Sequence, residues 1–169
     1  MANYYSPTII QPTILLAAMT PLERLVLSHV FSAEADGDGL YFYAEETPAD
    51  MLTLSRAELA AALAEAGGRS SAIHAYAAKQ LAQVPSGQSE IDLDLTAGIG
   101  WEDIVQGIIR RSPTLRYATA VSAFTCSRMR ADGFGGMAVL ITADAIRAKS
   151  TTDLIEEFFA DAGLADALD

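Results

Sequence analysis

The segment Arg128-Met129-Arg130-Ala131-Asp132-Gly133-Phe134-Gly135-Gly136 constrains the fold more than any other part of this chain. It lies between two stretches, residues 116–127 and 136–142, that read as strands. A short glycine-rich connection turns the chain back on itself, so the two strands must pair antiparallel as a hairpin. A sheet containing such a hairpin is at least partly antiparallel, and the remaining elements have to be fitted around it.

Those elements are mostly helical. Thr20-Pro21-Leu22-Glu23 combines an N-cap, a proline at the first helical position and an acid three residues after the cap. Leu22, Leu25, Val26 and Phe31 follow at near-helical spacing. Leu40-Tyr41-Phe42-Tyr43 is strand-like and ends at Thr47-Pro48, since proline cannot donate to a ladder. Ser55-Arg56-Ala57-Glu58 opens a second helix that runs to Gly67-Gly68, and Ser70 or Ser71 opens a third, stopped by Pro85. Glu90 to Leu95 alternates polar and apolar strictly, as a half-buried strand does. Residues 101–111 form a short helix with Ile104, Val105, Ile108 and Ile109 on its inner side. Thr142 is expected to cap a short helix over ADAIRAKS, and Ser150-Thr151-Thr152-Asp153 starts the last helix, which Gly163 ends.

This order predicts an α+β protein: a mainly antiparallel sheet of about four strands packed against helices. With 169 residues, a single domain over 19–169 is the expectation, with residues 1–18 as an N-terminal extension packed on it. The apolar run at residues 9–19 has no Lys or Arg before it and is interrupted by Pro12, unlike a secretory signal, and it is too short to span a bilayer. The single cysteine, Cys126, excludes an internal disulfide framework and points to a cytoplasmic setting.

The formal net charge of −11 opposes binding to nucleic acid phosphates and anionic membranes. The charge is uneven, however. Residues 110–149 carry seven bases against Asp132 and Asp144, inside an otherwise acidic chain. Charge segregated in this way favours a protein partner or self-association, with neither nucleic acid nor membrane involved.

The acidic stretch SAEADGDGLYFYAEE, residues 32–46, fits two readings. As a calcium loop it would place Glu34, Asp36, Asp38 and Glu45 at ligand positions one, three, five and twelve, with Gly39 at the sixth. Against this, Phe42 offers no side-chain oxygen at the ninth position, and Pro48 spoils the helix that should follow. The favoured reading is a turn into a strand, which Asp-Gly-Asp-Gly supports directly.

A second candidate site is the glycine-rich connection. Arg128 and Arg130 beside open backbone amides at Gly133, Gly135 and Gly136, with Cys126 nearby, could hold an anion or serve a small enzyme. Without a ligand the glycines are expected to adopt positive φ in the hairpin. His29 and His74 lie far from Cys126 in sequence, and two histidines with one cysteine are too few for a zinc site. No nucleophile elbow, phosphate loop or dinucleotide fingerprint is present, and no cofactor is implied.

The stretches GDGLYFYAEE, WEDIVQGIIRRS and FTCSRMRADGFGGMAVLITADAI resemble a small group of proteobacterial proteins, some carried on plasmids or other mobile elements. The resemblance spans most of residues 19–163. It implies a bacterial cytoplasmic protein of accessory-gene origin and carries no activity or site residues with it. Together these observations predict a non-enzymatic interaction or regulatory domain, ahead of an anion-binding or enzymatic loop at 128–136 and a calcium site at 34–45.

Overall fold

The computed structural model describes residues 2–66 and 71–164. Among the described residues it is α+β, with five helices and a large antiparallel sheet of eight strand segments, against the sheet of about four strands expected from sequence. Gly67-Gly68 and Ser70, expected at the end of the second helix and the start of the third, lie outside the described residues.

The first correction concerns the N-terminus. Residues 4–15, expected within an N-terminal extension, lie in the sheet itself. Strands β1 (Tyr4–Tyr5), β2 (Thr8–Gln11) and β3 (Ile14–Leu15) form one interrupted line through the middle of the sheet. On one side β1 and β2 pair with β8 (Tyr117–Cys126), and on the other β2 and β3 pair with β5 (Gly39–Ala44). Pro12, without an amide proton, falls at the break between β2 and β3, where no ladder donor is needed. Strand β4 (Ser32–Asp36) closes one margin against β5. At the other margin β9 (Gly135–Thr142) pairs with β8, and β10 (Ile146–Ser150) pairs with β9. The sheet is therefore six strands wide.

The second correction is β10 itself, which occupies residues expected to be helical. Thr142 does cap, but it caps a turn: its Oγ1 accepts from the Ala145 N–H at 3.1 Å. The five residues after that turn satisfy the open edge of β9. Ladder hydrogen bonds available at that edge outweigh the mild helix preference of Ala, Arg and Lys.

Helices α1 (Pro21–Val30) and α4 (Trp101–Arg111) lie against one face of this sheet. Outside them stand α2 (Arg56–Glu65), α3 (Ala72–Gln83) and a separate antiparallel ribbon of β6 (Met51–Ser55) and β7 (Glu90–Asp94). The capping box read at Thr20 is present, with Thr20 Oγ1 accepting from Glu23 N–H at 3.2 Å and Glu23 Oε2 accepting from Thr20 N–H at 2.8 Å. At Ser55 the side chain accepts from Glu58 N–H at a long 3.5 Å.

The core forms where these layers meet. Ile10, Phe42, Ala120 and Ile141 from the sheet pack with Leu22, Val26, Ile104 and Ile108 from the helices. Phe31 meets Trp101 edge to face with ring centroids 5.2 Å apart, the arrangement that aromatic quadrupoles favour. The last helix, α5 (Thr151–Asp161), buries none of its residues.

Candidate functional site

The acidic stretch is a β-hairpin. Glu34 and Asp36 are in β4, Gly37 turns with φ +57°, and Asp38 leads into β5. Glu34 Oε1 accepts from the Tyr43 hydroxyl at 2.8 Å, and Asp36 accepts from the Thr13 hydroxyl. No helix follows, so the chain does not fold back to bring Glu45 onto the other acids as a calcium loop requires. Among the described residues no three His, Cys, Asp or Glu side chains gather as a metal site.

The glycine-rich connection brings some of its residues together and scatters others. Arg130 Nε lies 3.1 Å from Asp132 Oδ1, and the Tyr4 hydroxyl donates to Asp132 Oδ2 at 3.3 Å. The Arg130 hydrogen bond holds the Asp132 carboxyl below the ordinary carboxylate value. Arg130 is thus engaged by an acid of its own loop, while Arg128 stays exposed. Cys126 is half-buried at the end of β8, and no histidine lines the cleft at this corner.

The glycines serve packing. Among the described residues only Gly37, Gly98 and Gly163 have positive φ, so the expectation for Gly133, Gly135 and Gly136 is overturned. A Cβ on Gly133 would stand 2.4 Å from Cys126 Cβ, and one on Gly135 would stand 2.7 Å from Thr151 Oγ1. Gly136 N–H donates to that same Thr151 hydroxyl at 3.2 Å. These positions let the first turn of α5 and the 131–133 turn approach the strands closely.

A carboxyl of a different kind lines the cleft between α4 and the sheet. Glu102 shares this space, about 310 Å³, with Asp50, Trp101 and Met137. Burial pushes its carboxyl above the ordinary glutamate value; its own backbone N–H opposes the shift and Asp103 adds to it.

A further feature without a structural role is the outer face of the sheet. The inner face is covered by α1 and α4, whereas the outer face has no second layer over its centre. Directly opposed residues in an antiparallel pair share a face. One row across the outer face therefore runs Ser32, Tyr43, Ile9, Val121, Ala138 and Lys149, and its neighbour includes Glu34 with Tyr41 at one margin and Thr119, Leu140 and Arg147 at the other. Val121 is 51 % exposed, and Ile9 and Leu140 are each 41 % exposed. Tyr41 and Tyr43 stack with centroids 5.5 Å apart. Two shallow grooves of about 450 and 530 Å³ meet at Val121, one reaching Glu34 and the other reaching Arg147 and Lys149.

Sequence reasoning missed this face, yet a signal was there. Met137-Ala138-Val139-Leu140-Ile141 is continuously apolar, the pattern of a strand covered on both faces. In the folded chain Val139 and Ile141 are buried and Met137 is half-buried, while Ala138 and Leu140 are exposed.

No family model, curated protein or solved structure matches this chain.

Proposed function

We propose that this chain is a non-enzymatic protein–protein interaction domain, accessory or regulatory in role, whose contact surface is the open outer face of its large sheet. One observation carries the proposal: a six-strand face with Ile9, Val121 and Leu140 in water at its centre. Scattered surface apolar residues need no explanation, but a contiguous band across one sheet marks an interaction site. The aromatic pair Tyr41 and Tyr43 adds rigid, amphipathic side chains of the kind that anchor interfaces. No helix among the described residues is long and apolar enough to cross a membrane. The single cysteine and the acidic charge fit a cytoplasmic setting.

The experiment is site-directed photo-crosslinking in cells. A photoreactive residue replaces Val121 on the open face, and a control chain carries it at Ala60, exposed on α2. A discrete adduct at position 121 that is missing at position 60, containing either a second copy or one other protein, is the expected result. Equal labelling at both positions, or none at 121, sinks the proposal.

A further inference from the structure

We infer that the occupant of the open face is a second copy of this chain, packed sheet to sheet about a two-fold axis parallel to the strands. The inference rests on the interaction reading above and deepens it by naming the partner.

Charge is segregated across the face. Acids stand at one margin, Glu34 and Asp36 on β4, and bases at the other, Arg147 and Lys149 on β10. Between them the surface is Tyr41, Tyr43, Ile9, Val121 and Leu140. A two-fold rotation about an axis running with the strands reverses strand order between facing sheets. It lays the β4 margin of each copy over the β10 margin of the other and puts Val121 near the centre, over Ile9 of the other copy. An isologous interface needs this self-complementarity. A rotation about an axis across the strands would instead set acid on acid and base on base.

Lys149 is already paired with Glu157 of α5, so Arg147 is the base left to meet Glu34 of the opposite copy. Glu34 in turn is held in place by the Tyr43 hydroxyl.

Size agrees with this. Strands about 4.8 Å apart and about six residues long make a face of roughly 600 Å² on each copy. Two copies together bury about 1,200 Å², above the ~1,000 Å² a specific interface requires. Two sheets packed this way stand about 10 Å apart, with the apolar side chains of both inside. The paired sheets then cover Leu140 and Ala138, completing the two-sided burial that the sequence of β9 calls for.

Sedimentation of the full chain at about 150 mM salt tests the inference; there, repulsion between two acidic molecules is screened beyond about 8 Å. The expected mass is that of two 17.9 kDa chains. Val121→Arg, at a half-exposed position, is expected to keep the circular-dichroism spectrum of the folded chain and weaken association at least tenfold. Glu34→Arg and Arg147→Glu are each expected to weaken it, and the double swap to restore it. That rescue keeps the test valid if Val121→Arg fails to fold. A single-chain mass at every concentration overturns the inference. So does a two-chain mass that neither Val121→Arg nor the margin swaps alter, or one that grows past two copies through pairing of β4 with β10. If the mass is single but crosslinking at 121 captures another protein, the self-association fails and the interaction reading stands.

Discussion

The Nη2 atom of Arg111 lies 2.7 Å from both carboxylate oxygens of Glu23, a side chain with no exposed surface. Glu23 belongs to the first turn of α1 and Arg111 to the last turn of α4, so this pair locks together the two helices that cover the sheet. The carboxylate also accepts the Thr20 amide, so it is hydrogen-bonded as well as paired. Removing the guanidinium would leave a buried anion without its cation. Arg111→Met is expected to destabilise the fold by about 3 kcal/mol, the low end for a broken buried pair because Arg111 is itself 26 % exposed. The double variant with Glu23→Gln should lose less than the two single losses combined. Denaturant titration of the four proteins as a double-mutant cycle measures it.

Glu102 gives the opposite effect. Its folded carboxyl is raised by burial above its ordinary value of 4.5, so the native state holds a proton that the unfolded chain releases. Stability from this group therefore falls as pH rises from 4.5 through the raised folded value, and the loss is complete above it. Glu102→Gln is expected to melt higher than the parent at pH 7, with the difference vanishing as pH falls below 4.5. Equal melting temperatures at neutral pH would refute this account of the cleft.

The start of α5 depends on Asp153, whose carboxylate accepts from the Ser150 amide at 2.6 Å and the Ser150 hydroxyl at 2.8 Å. Both bonds hold its carboxyl below the ordinary 3.8, the amide more strongly. A depressed carboxyl contributes stability above the ordinary value and loses it as pH falls through the folded one. Because α5 buries no residue, this cap acts on the helix locally. Asp153→Asn is expected to speed amide exchange at residues 151–161 at neutral pH while leaving the β8 amides protected. Acidification through the depressed folded value should lower the protection of the same amides in the parent chain, relative to their intrinsic exchange at that pH.

Gly39 allows β3 to reach β5. A Cβ there would stand 2.7 Å from the Ile14 carbonyl oxygen and 2.6 Å from Thr13 Cγ2. The backbone of β3 cannot yield without losing its ladder with Leu40 and Gly39. Gly39→Ala is expected to cost about 2 kcal/mol, the range for overpacking a tight site, read as a lowered denaturant midpoint. Gly87, whose added Cβ meets nothing within 4 Å, should tolerate the same change.

Much of this fold was legible where the cause is local. Thr20-Pro21-Leu22-Glu23 and Ser150 to Asp153 capped the helices read from them, because a cap and its partner lie within four residues. The strict alternation of Glu90 to Asp94 gave a strand with Ile91 and Leu93 buried. The same short-range logic read the turn at Gly37 that leads into β5, but not the strand β4 that precedes it. Residues 4–15 and 146–150 were read wrongly because each is a strand only by virtue of a distant partner: Ile9 needs Val121, and Arg147 needs Leu140. Beyond the apolar run of β9, the candidate site could not be read for a related reason. Ile9, Tyr43, Val121 and Leu140 come from four strands separated by most of the chain, and no window of sequence contains them together.

The amino-acid sequence by itself determined the starts of α1 and α5, the turn at Gly37 and the α+β class, since those follow from backbone dihedrals, capping groups and the period of apolar residues. Tertiary structure alone decided that the first strands lie at the centre of the sheet, that Glu23 and Arg111 meet, and which face of the sheet stays uncovered. Those outcomes depend on the order in which strands pair, and hydrogen bonds between distant strands carry no mark in any short stretch of residues.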